Sequence, residues 1–79
     1  MNITKGSIVR AAAGRDKGGF FVVLATEGSF ALIADGKRRK VQSPKRKKLI
    51  HLAPTHTVYE GSIETNPQIK KILRDFNGG

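Results

Sequence analysis

Apolar residues in the first two thirds of the chain occur in short runs, and glycine-rich or polar turns separate one run from the next. Runs of this length predict β-strands over residues 7–12, 20–24 and 30–34. The second run is mostly aromatic and β-branched, which indicates a strand that is buried on at least one face. Short strands at near-regular spacing predict a small barrel or sandwich.

The pair Asp35-Gly36 predicts a tight hairpin turn, because glycine supplies the positive φ that such turns need and aspartate tolerates it. The chain should then return antiparallel over residues 37–41, until Pro44 ends the strand. On that strand, alternate basic side chains would face opposite sides of the sheet.

The charged segment over residues 45–48 leads into a closing strand, which the apolar content predicts over residues 49–52. The strand pattern weakens after Ala53. Residues 57–59 fit either a further strand or an extended linker.

The last segment changes to a helical period. Asn66 is a favourable N-cap, and Pro67 is a favourable first helical residue. The apolar residues that follow fall at i, i+3, i+4 and i+7 and form one stripe: Ile69, Ile72, Leu73 and Phe76. Because so short a helix is marginal alone, the stripe should pack on the barrel or on a partner. We expect a barrel over residues 4–56, a linker or extra strand over 57–65, and the helix over 66–77.

The composition limits the classes of protein that are possible. A chain of 79 residues suits one small domain. With no cysteine and two histidines, we expect neither a disulfide nor a structural zinc ion, and a reducing cytoplasm fits. The first residues lack the apolar stretch of a signal peptide, and the longest apolar run, residues 20–25, is too short to cross a bilayer. We expect a soluble, cytoplasmic protein without a cofactor.

Positive charge is concentrated in part of the chain. Fifteen lysines and arginines against six acidic residues give a formal net charge of +9, which suits a polyanion such as RNA, DNA or an anionic membrane surface. Eight of the fifteen lie in two clusters, Lys37-Arg38-Arg39-Lys40 and Lys45-Arg46-Lys47-Lys48. Such clusters neutralise phosphates, which gives affinity and salt dependence but little sequence choice. The alternative is a solvated charge run that blocks edge-to-edge strand pairing.

Aromatic residues are few: Phe20, Phe21, Phe30, Tyr59 and Phe76. Proteins that bind single-stranded nucleic acid usually display aromatic side chains on which bases stack. The phenylalanines here lie in apolar runs and are expected in the core. Recognition of the nucleic-acid backbone and shape, as in the binding of structured RNA, is therefore favoured over base stacking.

The polar residues do not predict a catalytic or nucleotide site. The loop over residues 14–19 has the glycine spacing of a P-loop, but phenylalanines follow where lysine and serine or threonine are required. The acidic residues are isolated, His51 and His56 lack an obvious third metal ligand, and no serine has an adjacent base. We predict that the protein is not an enzyme, and that this loop presents Arg15 and Lys17 to solvent.

Two stretches, residues 5–10 and 14–18, followed by an apolar strand, resemble the KOW motif, with Gly18 at the position of its hallmark glycine. Residues 31–41 and 45–52 are similar to the continuation in small bacterial KOW-domain RNA-binding proteins. These proteins in turn resemble KOW-type large-subunit ribosomal proteins of archaea and eukaryotes. Gly19 departs from the motif, because many members have a basic residue there.

This resemblance covers about residues 4–56 and implies an SH3-like barrel that contacts ribosomal RNA. The loop over residues 13–19 would bind, with Arg15 and Lys17 facing phosphate. The tail from Val58 onward lies outside the resemblance.

We predict a mainly β protein with a small SH3-like barrel and a short C-terminal α-helix, which binds structured RNA, ribosomal RNA first of all, without catalysis. The predicted RNA-binding residues are Arg15, Lys17, Gly18, Lys37, Arg38, Arg39, Lys40, Lys45, Arg46, Lys47 and Lys48. We expect a monomer that acts on the ribosome or during its assembly, with ribosomal proteins as further partners, and no membrane or small-molecule ligand. The leading alternative is a protein-interaction module that docks a ribosomal or transcription protein through the apolar stripe. A DNA or membrane-surface binder is a second alternative.

Overall fold

The computed structural model describes residues 2–77, and within them the chain forms five β-strands and two short helices. The strands are β1 (Ser7–Ala11), β2 (Phe20–Glu27), β3 (Phe30–Ala34), β4 (Lys45–Lys48) and β5 (Leu52–Val58). A 3-10 turn, Leu49–His51, joins β4 to β5, and the helices are α1 (Asn66–Ile72) and α2 (Arg74–Asn77). The prediction of a mainly β fold with a short C-terminal helix is confirmed.

The strands form one antiparallel sheet in the order β4-β3-β2-β1-β5. In the centre of the sheet, Val9 of β1 lies opposite Phe21 of β2. Strand β5 pairs on the other side of β1, with Leu52 opposite Ala11. Register shifts in the β1–β5 and β2–β3 ladders increase the local bend and twist of the sheet. The molecule measures 27 × 25 × 23 Å, as a small β-barrel-like domain does.

Both faces of the central strands are buried, which explains why β1 and β2 read as nearly continuous apolar runs. One face forms the barrel core, which consists of Val9, Ala11, Phe21, Val23, Ala31, Ile33 and Leu52. The opposite face presents Ile8, Val22 and Ala34 to the C-terminal helices. Because side chains alternate along a strand, chain neighbours such as Ile8 and Val9 belong to different cores.

The apolar stripe of the C-terminal segment packs on the barrel of its own chain. Ile69 is fully buried and Leu73 is 1% exposed, both against the second face of the sheet. The ring of Phe76 lies 5.4 Å from that of Phe20 at the start of β2. The side-chain amide of Asn77 also pairs with the backbone of Phe20, accepting from its N–H at 3.1 Å. The stripe is therefore part of the fold.

The helix begins one residue differently from the prediction. Thr65 is the N-cap of α1, and its hydroxyl accepts from the N–H of Gln68 at 3.2 Å. The side chain of Asn66, the predicted cap, instead accepts from the N–H of Val41 at 2.7 Å and so ties α1 to the loop after β3. The predicted helix ends at Asn77, the last residue that the structure describes, and Gly78 and Gly79 lie outside the described residues.

The hairpin predicted at Asp35-Gly36, with a returning strand over residues 37–41, is wrong. The Asp35 carboxylate accepts from the N–H groups of Lys37 and Arg39, each at 2.9 Å. The N–H of Asp35 donates to the carbonyl oxygen of Arg39 at 2.8 Å and closes the same turn. These bonds fold the first basic cluster into a compact loop. Gly36 has the expected positive φ, 80°, but inside this loop.

The second basic cluster takes the place of the missing strand. Strand β4 pairs with β3, with Lys45 opposite Ile33 and Lys48 opposite Phe30. The closing strand predicted over residues 49–52 is instead the 3-10 turn and the first residue of β5. The segment 57–59, for which the sequence left two options, is partly strand, because β5 ends at Val58.

Candidate nucleic-acid interface

A buried carboxylate connects the three basic segments of the chain. Asp16 lies in the glycine-rich loop between β1 and β2 and is 6% exposed. Arg39, from the loop after β3, donates from Nε to Oδ1 at 3.1 Å and from Nη2 to Oδ2 at 3.0 Å. Lys47 of β4 places Nζ 3.7 Å from Oδ2. We call these three residues the Asp16 cluster; it holds two loops and one strand together.

The contact between Asp16 and Arg39 shifts the pKa values of both groups. Burial alone would raise the pKa of the Asp16 carboxyl, but the hydrogen bond from Arg39 and the charges of Arg39, Lys47 and Arg38 outweigh it, so this pKa lies below its ordinary value. The hydrogen bond to Asp16 raises the pKa of the Arg39 guanidinium. Asp16 and Arg39 are therefore both ionised at neutral pH and form an ion pair.

Lys47 is a buried lysine on a β-strand, 8% exposed. Its partner across the β3–β4 ladder is Ala31, a residue of the barrel core. A buried ammonium group is costly unless it is hydrogen-bonded and paired. The carbonyl oxygen of Ala13, 2.8 Å from Nζ, and the Asp16 carboxylate supply those partners. The lysine thereby ties β4 to the glycine-rich loop.

Each segment of the Asp16 cluster turns one residue inward and leaves its two chain neighbours exposed. In the glycine-rich loop and in the loop after β3, the exposed neighbours are Arg15 and Lys17, and Arg38 and Lys40. On β4 they are Arg46 and Lys48, which alternate with Lys47 along the strand. Six exposed cations thus flank a cluster whose own acid is fully engaged.

The glycine-rich loop has a fixed backbone. The N–H of Lys17 donates to the carbonyl oxygen of Gly14 at 3.2 Å, and that of Gly19 to Asp16 at 3.0 Å. At the end of β1, Ala11 accepts from the N–H of Gly18 at 2.8 Å and donates its own N–H to the carbonyl oxygen of Gly19 at 2.9 Å. Gly18 has a φ of 92°, which disfavours other residues there. Arg15 and Lys17 are therefore carried on a hydrogen-bonded turn, and both are exposed to solvent, as the sequence predicts.

Arg46 stacks on an aromatic ring that the sequence placed in the core. Its guanidinium carbon lies 3.7 Å from the ring centroid of Phe30, which is half-buried. Glu27 accepts from Arg46 Nε at 3.4 Å and helps to hold the guanidinium there. The other phenylalanines follow the prediction more closely, since Phe21 is buried and Phe20 and Phe76 pack on each other.

The eleven predicted binding residues divide into two groups. Nine are exposed: Arg15, Lys17, Gly18, Lys37, Arg38, Lys40, Lys45, Arg46 and Lys48. Arg39 and Lys47 are held by Asp16, so their first role in the structure is to connect the basic segments. The cluster brings together the glycine-rich loop, the loop after β3 and β4.

Sequence reasoning missed Asp16, which it classed among the isolated acidic residues. The sequence did contain a signal: in a glycine-rich turn, the acidic Asp16 stands directly between two basic residues, Arg15 and Lys17, which suggests a structural role for its carboxylate. Reasoning from the two clusters also left out the basic residues of the helical segment, Lys70, Lys71 and Arg74, which are all exposed.

Within residues 2–77, no group of three or more His, Cys, Asp or Glu side chains is arranged so that it could hold a metal ion. His51 is half-buried in the 3-10 turn, and His56 is exposed on β5. In the same part of the chain, neither helix has the length and apolar character needed to cross a membrane.

Comparison with known proteins gives no assignment: no protein-family model matches the chain, and no curated protein matches it.

Proposed function

We propose that this chain is a non-catalytic RNA-binding protein that docks structured RNA, ribosomal RNA first of all, through the exposed cations around the Asp16 cluster. The observation that carries the proposal is shared by the glycine-rich loop, the loop after β3 and β4. Each contributes one residue to the Asp16 cluster and exposes the basic residues on both sides of it. Phosphate contacts need many cations at fixed positions, and a framework that fixes both loops and β4 supplies them.

Charge and resemblance support the same function. The net charge of +9 is concentrated in these segments. The glycine-rich loop resembles the binding loop of KOW proteins, and the β-barrel-like fold is the architecture that such a resemblance implies. As a KOW-type protein, the chain would act in the cytoplasm, on the ribosome or during its assembly.

RNA binding is favoured over the protein-interaction alternative because of where the apolar stripe lies. That alternative used the stripe as its interface, but Ile69 and Leu73 are buried on the barrel. The remaining surface is rich in separate cations, which suit phosphates spaced along a nucleic-acid backbone.

The test is a titration of the full chain with ribosomal RNA and with matched duplex DNA across a series of salt concentrations. We expect RNA to bind at least tenfold more tightly, with a slope of log affinity against log salt of about −4 to −7, as for about five to eight neutralised phosphates. Weak, equal binding to both nucleic acids with a shallow slope would overturn the proposal.

A variant pair locates the contact. R15Q/K17Q removes two cations from the glycine-rich loop, and K5Q/R10Q removes two exposed cations that do not flank the Asp16 cluster. We expect the first variant to lose clearly more affinity than the second. Equal losses would mean that binding depends on net charge alone.

A further inference from the structure

A groove of about 340 Å³ lies between the loop after β3 and one side of the helical segment. Four cations line this helix groove, namely Lys37, Lys70, Lys71 and Arg74. Three of the four come from the C-terminal segment, which lies outside the two basic clusters and outside the residues that resemble KOW proteins.

The helix groove has a defined wall. Pro67, Lys70, Arg74 and Asn77 are spaced at i, i+3, i+7 and i+10 and all line it, so they form one face of the helical segment. The neighbouring face, with Ile69 and Leu73, is buried on the sheet. Since the helix is anchored through that buried face, the cationic face is held in a fixed orientation toward the loop.

The opposite wall approaches the helix closely. A Cβ at Gly36 would lie 2.6 Å from the carbonyl oxygen of Asn66 and 3.1 Å from Cγ of Lys70. The aliphatic part of Lys70 therefore rests against the loop, as long basic side chains do when their charged end reaches solvent. The bond from Val41 to the Asn66 side chain fixes the far end of the same loop.

The charge of the groove is strongly unbalanced. Asp35 is the acid that lines it, and its Oδ1 already accepts from the N–H groups of Lys37 and Arg39. Four cations thus face one carboxylate that is engaged in a turn. A ligand that fits this surface is an anion with several oxygens, such as a phosphodiester group.

Residues that line the groove connect it to both loops of the proposed RNA-binding surface. Lys37 lines the groove and belongs to the same turn as Arg38 and Arg39 in the loop after β3. Asn77 also lines the groove, and its side chain bonds the backbone of Phe20, which directly follows the glycine-rich loop. A nucleic-acid backbone that contacts either loop can therefore extend into the groove.

We propose that the helix groove is a second phosphate-binding site, in which Lys37, Lys70 and Arg74 take the backbone of the same RNA that the loops contact. This inference rests on the proposed function and extends it, because it gives the C-terminal segment a binding role besides its packing role.

The experiment compares K70Q/R74Q with K5Q/R10Q, which also removes two exposed cations but none from the groove. Binding of a fluorescein-labelled RNA hairpin is followed by anisotropy across a salt series. We expect K70Q/R74Q to bind at least fivefold more weakly than K5Q/R10Q. Its salt slope should be shallower than that of the natural chain by about 1.4 to 1.8, the value for two lost phosphate contacts. Circular dichroism melts of both variants check that the fold is kept.

A second measurement needs no variant. Amide chemical shifts of the natural chain, recorded as the hairpin is added, should change at residues 70–77 together with those of residues 14–19. If the natural chain binds the hairpin while K70Q/R74Q loses no more than K5Q/R10Q and residues 70–77 do not shift, the groove is not a binding site and the proposed function still stands. If the natural chain does not bind RNA at all, both proposals fail.

Discussion

The guanidinium of Arg39 faces both carboxylate oxygens of Asp16, with nitrogen–oxygen distances of 3.1 and 3.0 Å. The two residues are 23 positions apart in the chain and belong to different loops. Two parallel hydrogen bonds to an ionised partner fix orientation as well as distance. This pair therefore determines how the glycine-rich loop sits against the loop after β3.

Replacing the Asp16 carboxylate should destabilise the fold. In D16N, Arg39 and the buried Lys47 lose their counter-charge, so we expect a loss of about 3 kcal/mol. That value is at the low end for a broken buried ion pair, because the Arg39 side chain is 26% exposed. Urea unfolding measures it. The control is D75N, an exposed aspartate of α2, for which we expect less than about 1 kcal/mol. Equal losses in both variants would contradict a structural role for the cluster.

Acid should weaken the fold through the same carboxylate. Its native pKa is lowered, so it lies below the value of about 3.9 found in an unfolded chain. The unfolded state then binds more protons between the two values, and stability rises with pH there. The contribution is complete above the unfolded value and is lost as the pH falls through the native one.

Thermal melts of the natural chain and of D16N between about pH 7 and about pH 2 test this expectation. The difference in midpoint between the two proteins should be largest at neutral pH and should shrink at the acidic end. A difference that stays constant down to the lowest pH would show that another group determines the acid response.

D16N should also bind RNA more weakly, although it raises the net charge by one. Attraction by net charge alone predicts tighter binding for this variant. If the cluster instead holds the cations in place, RNA binding to D16N must order one or two side chains that Asp16 no longer fixes. At about 0.5–1.5 kcal/mol for each side chain, we expect the affinity of D16N to fall about fivefold to tenfold. Anisotropy with the RNA hairpin measures it, below the melting range of the variant. Tighter binding by D16N would rule out the role of the cluster in preorganisation.

Replacing Gly36 by any other residue should destabilise the fold. It has a φ of 80°, and a Cβ there would meet the carbonyl oxygen of Asn66 at 2.6 Å. We expect G36A to cost about 3 kcal/mol, from the left-handed backbone and the displaced helix together. The matched control is G28A, because Gly28 has a φ of 60° but open space around its Cβ position, and about 1 kcal/mol should be lost there. Similar losses in both would mean that the helix does not pack closely on the loop.

The elements that the sequence predicts well are those that local pattern determines. The runs at β1, β2 and β3 and the stripe from Ile69 to Phe76 are short-range periodic signals, and each corresponds to an element of the structure. The strand after Asp35 fails because the Asp35 carboxylate bonds two N–H groups of its own loop, which a rule for two-residue hairpins does not include. Strand β4 has the unfavourable composition Lys-Arg-Lys-Lys, and tertiary pairing with β3 overrides it.

The candidate site shows the same limit. Exposed cations such as Arg15 and Lys17 can be found by counting charges. The inward role of Lys47 cannot, because it depends on Asp16, 31 residues earlier in the chain, and on the carbonyl oxygen of Ala13. The burial of Lys47 and the exposure of its neighbours follow from a contact that exists only in the folded chain.

Ile69 tests whether the helix is part of the fold. Its side chain is fully buried between α1 and the sheet face of Ile8 and Val22, so I69A should leave a cavity and cost about 3 kcal/mol. The control is I50A, because Ile50 in the 3-10 turn is 82% exposed, and its removal should change stability by less than about 0.5 kcal/mol. Urea unfolding with a single cooperative transition measures both. If I69A were as stable as I50A, the helix would pack too loosely to orient Lys70 and Arg74, and its stripe would again be available to a protein partner. A large loss in I69A alone would instead show that the helix and barrel unfold as one unit, as a fixed helix groove requires.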